Sequence, residues 1–508
     1  MSAAQYVDRY ITSPDFIALA LVFFFSATFL QFGDRPILDW ADETLGASAA
    51  EIAAIRYSRS LPYMLRILFG VVPEIMPIGT RRYKPYLILG VVMSCVANTA
   101  VAVKTNTSND AGGFQVTVTF LCVVLFIGAV GDALATLIAG LMIVEHSIEF
   151  ENKHLRGIFQ CSVLISHFSG KVSGGLGSIS VVSNEFFFYK ASVSKVYGFM
   201  AAASALLLAP NLYTLRPVSP PHPDAVALEF NDHAFSEEVR HRLRAKVRDL
   251  SQSRVTLQLC ALLYAIALCQ IGNPALATFY AASLSYGTRD VEILDILGNV
   301  ASMATVAIYQ TCCETANTRD RSKFLLVVGI MLTGLVNFTL LASLNNGTTD
   351  LIFFQDGIVV SMITVISYAG RALQLCVLYT YFIGICDKNR GFTTIFYTAF
   401  TSILIFGASA SKAVGAGAMN VWDVSHTTLS MHDYSGFRYL TLFSSMLPVL
   451  PAALVLVFLP RPYKLNSPSS GGGSGGFSGA ALAAFFAAAL VVAVSCLKVS
   501  AYLAGEYP

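Results

Sequence analysis

Charge is what this chain has least of. Asp, Glu, Lys and Arg together make up 13% of its 508 residues, against 55% hydrophobic ones, and the mean hydropathy is +0.63. A soluble domain carries charge on about a quarter of its residues, so a water-soluble globular fold is excluded. Chemical signatures are missing too. The ten cysteines contain no CxxC pair with metal spacing. Most of them, such as Cys95, Cys122, Cys161, Cys260 and Cys376, lie in apolar stretches and read as small packing residues. Adjacent Cys312 and Cys313 leave a redox role open. No Walker A loop, Gly-x-Gly-x-x-Gly fingerprint, HExxH or nucleophile elbow occurs in a supporting context. The chain is therefore not expected to be an enzyme or an ATP-driven pump, and no cofactor, metal or nucleic acid partner is expected.

What is there in quantity is apolar sequence in lengths that cross a bilayer, which takes roughly 20 residues per helix. Such stretches run over 16–32, 52–72, 86–103, 114–144, 157–182 and 196–215. After a polar segment at 216–254 they resume over 255–280, 291–309, 324–344, 351–385, 392–419 and 439–459. The pattern predicts an all-α polytopic membrane protein of two six-helix halves, residues 1–215 and 255–460, joined by a central loop. A Gly/Ser-rich linker at 461–478 leads to a further apolar stretch, 480–497, expected to form a thirteenth transmembrane helix within the tail 479–508. The polar start of the chain shows no small-residue cleavage site, so the first span is expected to act as an uncleaved anchor.

Orientation follows from lysine and arginine, which are retained on the cytoplasmic side. They crowd alternate loops: Arg81, Arg82 and Lys84; Lys153 and Arg156; Arg240 to Arg248; Arg319 to Lys323; Lys388 and Arg390; Arg461 and Lys464. The intervening loops hold the sequons at Asn106 and Asn346, which are expected outside and open to glycosylation. The plasma membrane is the expected location, with an endomembrane as the alternative.

Charges inside spans are expensive and face partners or water. The third, sixth, ninth and twelfth spans have none in their interiors and read as lipid-facing scaffold. The second carries Arg59 and Arg66, the fourth Asp132, the fifth Lys171, the tenth Arg371 and the eleventh Lys412. At 1.5 Å per residue, Asp132, Lys171 and Arg371 come out at mid-membrane, with Arg66 nearer the cytoplasmic end. Asp132 and Lys171 either neutralise each other as a structural pair or handle substrate and protons. His167, one turn before Lys171, is a candidate proton relay or a packing histidine. In the seventh span Gln270 and Asn273 offer hydrogen bonds, and Pro274 would open the backbone. Glycines at 170, 174, 175 and 177, and at 407, 415 and 417, suit close helix approach. The two-halves pattern resembles the major facilitator superfamily.

Three sequence blocks carry a narrower resemblance. Leu61-Pro62-Tyr63 leads through Arg66, Gly70 and Glu74 to Pro77-Ile78-Gly79-Thr80-Arg81-Arg82-Tyr83-Lys84-Pro85-Tyr86. Gly131-Asp132-Ala133 leads through Val144-Glu145 and Gly157-Ile158-Phe159-Gln160 to Gly170-Lys171-Val172-Ser173-Gly174-Gly175. Phe279 and Tyr280, Leu297-Gly298 and Tyr309 form the third. The whole is similar to the folate-biopterin transporter family, with Arg66 and Glu74 where that family has lysine and aspartate. The segment Cys386 to Thr394 stands where the family has a Cys-Pro motif and glutamate, and both Pro and Glu are replaced. The resemblance implies a secondary active transporter of folate or pterin-type anions by alternating access; the coupling ion is left open, with the proton as a candidate. Lys171, Arg371, Asp132, Gln270 and Asn273 are its expected substrate-binding residues. Arg66, Gly70, Glu74, Arg81 and Arg82 are expected in gating, and Asp132 or His167 in proton coupling. Transport of another metabolite such as S-adenosylmethionine, or a transport-inactive receptor or assembly subunit, are the alternatives.

Overall fold

The computed structural model describes residues 10–75, 78, 83–107, 116–151, 157–182, 192–213, 254–270, 273, 275–283, 286–311, 319–335, 337, 339–340, 357–388, 393–431 and 433–458. The central loop, the linker, the expected thirteenth helix, Arg81, Arg82, Asn346 and the Cys312–Cys313 pair lie outside them. Within them the fold is all α, with no strand.

Before residue 214 the helices are α1 (Pro14–Leu45), α2 (Ala49–Met64), α3 (Arg66–Ile75), α4 (Lys84–Thr107), α5 (Val118–Phe150), α6 (Ile158–Val182) and α7 (Val193–Tyr213). After residue 253 come α8 (Arg254–Cys269), α9 (Leu276–Ser283), α10 (Thr288–Thr311), α11 (Arg319–Thr333), α12 (Gly357–Lys388) and α13 (Thr393–Val421). A short α14 (His426–Ser430), α15 (Ser435–Met446) and α16 (Val449–Phe458) complete the C-terminal set. Among the described residues, eight helical stretches are long and apolar enough to cross a bilayer unaided. The protein is an integral, multi-pass membrane protein.

Local sequence explains the boundaries. Ser13 caps α1 by accepting from the Phe16 N–H at 3.3 Å, with Pro14 pre-set for the first turn. Gly46, at φ 61°, closes it in the left-handed region. The second span is broken between α2 and α3, three residues after Pro62, whose ring cannot continue the hydrogen-bond ladder. The seventh is broken between Cys269 and Leu276, where the sequence places Pro274. The twelfth changes helix at Leu447-Pro448.

The buried core is asymmetric along the membrane normal. At the end that carries the basic loops, one apolar cluster runs through both sets of helices. It joins Leu87, Met142 and Phe159 of the N-terminal set to Phe382, Cys386 and Phe400 of the C-terminal set. At the opposite end there are two separate clusters. One, with Phe29, Val101, Leu121 and Tyr197, belongs wholly to the N-terminal set. The other, with Phe279, Val360 and Phe437, belongs wholly to the C-terminal set. The two sets are thus fused at the basic end and keep their own cores at the other.

The third, sixth, ninth and twelfth spans present large apolar side chains outward, among them Val96, Leu206, Phe324 and Val457. This is the surface a lipid-facing helix needs.

Candidate functional site

Lys171 is aimed by glycines. On α6, Gly170 and Gly174 share one face and lie so close to α1 that a Cβ would stand 2.1 Å from the Phe24 carbonyl oxygen and 2.6 Å from that of Thr28. The Thr28 hydroxyl reinforces the contact by donating to the Gly170 carbonyl at 3.1 Å. Lys171 is therefore turned off the α1 contact. It shares its face with Gly175, one turn on, where a Cβ would meet Ile296 of α10 at 2.9 Å. The acid within electrostatic reach of Lys171 is Asp295 of α10, and the cations are Arg371 of α12 and Lys412 of α13. Its ammonium also lies 5.7 Å from the centre of the Phe168 ring.

Asp295 is held in turn by α12. The Tyr368 hydroxyl donates to its Oδ1 at 2.5 Å. Arg371, three residues after Tyr368 on α12, is exposed, as is Lys412. Glu292, one turn before Asp295, accepts from Gln31 of α1 at 3.4 Å. Lys171, Arg371 and Asp295 thus come together as the sequence anticipated for the first two. Asp295 and Glu292 were not singled out, although two acids three residues apart at the start of an apolar run place both carboxylates on one helix face.

Asp132 lies elsewhere. Among the described residues no ion pair joins it to Lys171. The cation facing it is Arg59, and the Ser94 hydroxyl of α4 is its neighbour. Arg59 donates to Asp34 Oδ1 of α1 at 2.6 Å and to the Phe29 carbonyl at 3.5 Å. Asp34 has a side chain 47% exposed, against 11% for Arg59. Asp132, Arg59, Tyr63, Asn98 and Tyr197 wall a cavity of about 20 Å³ within the N-terminal set, room for one water.

Arg66 does not extend to the membrane surface. Its Nη2 donates to Thr136 Oγ1 at 2.7 Å, and its guanidinium stands 4.9 Å from the centre of the Tyr63 ring. Tyr379 of α12, Tyr397 of α13 and His167 of α6 lie within electrostatic reach of it. His167 is within electrostatic reach of Arg66 and also of Lys171 and Arg371.

The amides of the broken seventh span are engaged by protein. Gln270 donates to Gln374 Oε1 of α12. Asn273, 6% exposed, donates to Thr441 of α15 at 3.1 Å and accepts from the Ala275 N–H at 3.1 Å. Asn273 thereby caps the chain into α9 and ties it to α15.

At the basic end the contacts between the two sets are close. A Cβ on Gly70 would stand 2.0 Å from Thr398 Cγ2. Gly157, at φ +95°, faces Thr380, whose Oγ1 a Cβ would approach to 2.5 Å. The Tyr83 hydroxyl donates to Glu145 at 2.9 Å and lies 2.9 Å from Thr394 Oγ1. Glu151 accepts from the Gly157 and Phe159 N–H groups, each at 2.7 Å, and so anchors the start of α6. Of the residues expected in gating, Gly70 lies at this contact between the two sets. Glu74 falls in the last turn of α3, and the description of its side chain lies outside the described residues.

The arrangement of helices fused at one end around interior charges is that of major facilitator superfamily transporters, and the solved structures it matches bear this out. The D-xylose–proton symporter matches with a TM-score of 0.60 and 12% identity, over 88% of this chain and 98% of that one. A bacterial homologue of the iron transporter ferroportin, outward-facing with soaked iron, gives 0.58 and 12% over 88% and 99%. The transporter FucP in its outward conformation gives 0.56 and 14% over 87% and 97%. At these identities the likeness is one of fold. No curated protein sequence matches the chain. The model of the BT1 family matches residues 40–467; the chain belongs to the BT1 family, and with it to the secondary transporters.

Proposed function

We propose that this chain carries a folate- or pterin-type anion across the membrane by alternating access, with the basic end cytoplasmic and the described state open outward. The observation that carries the reading is the sign of the interior. Lys171, Arg371 and Lys412 are gathered with Asp295, and Arg66 lies below them with no ion pair among the described residues. A group of cations among the helices, Lys171 and Arg66 half-buried and Arg371 and Lys412 more exposed, favours a substrate that brings negative charge. Lys171 comes from the N-terminal set and Arg371 from the C-terminal set, so one bound carboxylate would draw the two together and favour closure. Asp295, held by the Tyr368 hydroxyl, is the carboxylate whose field a bound anion would compete with at Lys171. A sulfonium substrate such as S-adenosylmethionine matches this field less well.

Proton coupling fits Asp132 best. It has no ion pair among the described residues, it borders a water-sized cavity, and Arg59 and the exposed Asp34 lead from it toward the outer side. The test is uptake of labelled folate, biopterin and S-adenosylmethionine into vesicles at matched and unmatched pH. Folate or biopterin uptake, raised by an inward proton gradient and lost in Lys171→Ala, is expected. Uptake of S-adenosylmethionine alone would overturn the substrate class, and uptake of none would favour a receptor or assembly role.

A further inference from the structure

Arg66 is set apart from Lys171, Arg371 and Lys412 by a buried donor that meets no acceptor. Among the described residues no carboxylate lies within ion-pair distance of it. Its Nη2 is used by Thr136. Thr136 itself donates to the Asp132 backbone carbonyl at 2.7 Å, so it supplies Arg66 with a lone pair and no charge. Its Nε is buried with no hydrogen-bond partner. An unmet buried donor costs about 1–3 kcal/mol, more on a charged group. That cost falls on a group that an anion's oxygen would satisfy. The break between α2 and α3 puts Arg66 there, at the start of α3.

The surroundings define what the acceptor belongs to. Those of Arg66 are aromatic: the Tyr63 ring centre stands 4.9 Å from the guanidinium, and Tyr379 and Tyr397 are within its electrostatic reach. The Tyr397 hydroxyl is pressed onto α5, where a Cβ on Gly140 would stand 2.3 Å from it. A free Nε–H beside an Nη–H presents the edge that a carboxylate meets with two parallel hydrogen bonds. Tyrosine faces accept a flat ring.

We infer that Arg66, with Tyr63, Tyr379 and Tyr397, forms a second anion subsite at the floor of the central space, which takes a carboxylate borne on or next to an aromatic ring. The inference deepens the transport reading and rests on the interior being a substrate path. The upper subsite is Lys171 and Arg371, and His167 is within electrostatic reach of both subsites. The cargo is then an elongated molecule with two polar ends, held at both before the basic end opens.

The experiment uses the purified full-length protein in detergent with benzoate and benzamide, which differ in charge and little in shape. Stabilisation against heat is followed as each is titrated. Benzoate is expected to stabilise the protein and benzamide to do so only weakly. Arg66→Gln should raise the apparent benzoate constant at least tenfold and leave benzamide unchanged. Arg66→Lys, which keeps the charge and loses the paired donors, should raise it three- to tenfold, and it carries the comparison if the glutamine variant does not fold. Equal effects of benzoate and benzamide, no benzoate effect on the wild type, or an undiminished benzoate effect in the folded variants would each overturn the subsite. Folate uptake separates the two ideas. An Arg66-dependent benzoate effect without folate or pterin uptake removes the cargo and keeps the subsite. Uptake with an Arg66-independent benzoate effect does the reverse.

Discussion

Gly70→Ala should push the protein out of the state described here. Gly70 is buried on α3, and the new methyl would stand 2.0 Å from Thr398 Cγ2 and 2.8 Å from Thr398 Cβ. Carbon–carbon contacts settle at about 3.5–4.0 Å, so about 1.5 Å must be found. Thr398 cannot supply it by rotation, because it is fully buried and its hydroxyl already donates to the Thr394 carbonyl at 2.7 Å. Overpacking of this kind costs about 1–3 kcal/mol. The clash exists only while α3 and α13 touch, so the cost falls on the state closed at the basic end. The ratio of that state to its alternatives should drop by about 5- to 150-fold. Spin labels on exposed Asn106 and Met431, at the opposite ends of the two helix sets, would read the change. Pulsed dipolar spectroscopy should show the long-distance population shrink in Gly70→Ala and return in Gly70→Ala/Thr398→Gly. An unchanged distance distribution in a folded Gly70→Ala protein, or no recovery in the double variant, would refute the assignment of this contact as the seal.

Three other outcomes follow from the same geometry. Cys161 and Cys376, each 1% exposed, lie near one another across the two helix sets; oxidation by copper phenanthroline should arrest transport, dithiothreitol should restore it, and Cys161→Ser or Cys376→Ser should be insensitive. The Ser48–Glu51 capping box holds the Glu51 carboxyl below its ordinary value through the Ser48 N–H and hydroxyl. A lowered folded value means that the stabilising contribution is present above the ordinary carboxyl value near 4.5 and is lost as pH falls through the lower folded value. The melting difference between wild type and Glu51→Gln should therefore narrow below about pH 4, and a difference constant from pH 7 to 3 would count against the cap. Asp132→Asn combined with Lys171→Gln should not restore the uptake lost in either single variant, because the two side chains belong to different charge groups; full rescue would show that they act as a pair.

Length and apolarity made the spans legible, because the bilayer fixes both. The broken seventh span was legible for the same kind of reason: Pro274 forbids a continuous ladder wherever it stands. Depth along each helix was legible as well, and it put Lys171 and Arg371 on the same level. Rotation about the helix axis was not. Each residue turns the side chain by about 100°, and the partner is set by which neighbour the helix presses against. Adjacent spans in sequence suggested Asp132 beside Lys171, whereas Gly170 and Gly174 seat α6 on α1 and turn Lys171 toward α10. Asn273 is a similar case. Its amide reads as a cavity donor in sequence, and the fold uses it to tie α9 to α15. Asp295 was overlooked because an acid near the start of an apolar run reads as a loop residue, until Tyr368 is seen bonded to it.

The asymmetry of the core sets the energetic problem that transport has to solve. Opening the basic end exposes part of a single apolar cluster that includes Leu87, Phe159, Phe382 and Phe400, at about 25 cal/mol for each Å² uncovered. The opposite end offers two finished cores, so its closure brings few new apolar contacts of its own. The empty protein should therefore rest as described here, and the missing free energy has to come from something bound between the sets. Lys171 on α6, Arg371 on α12 and Arg66 on α3 are groups whose charge an anion satisfies better in a closed interior than in an open one, because water no longer competes for it. On the proposed reading, cargo binding supplies the energy that separates the shared core, and a chain stripped of these cations would remain closed at the basic end.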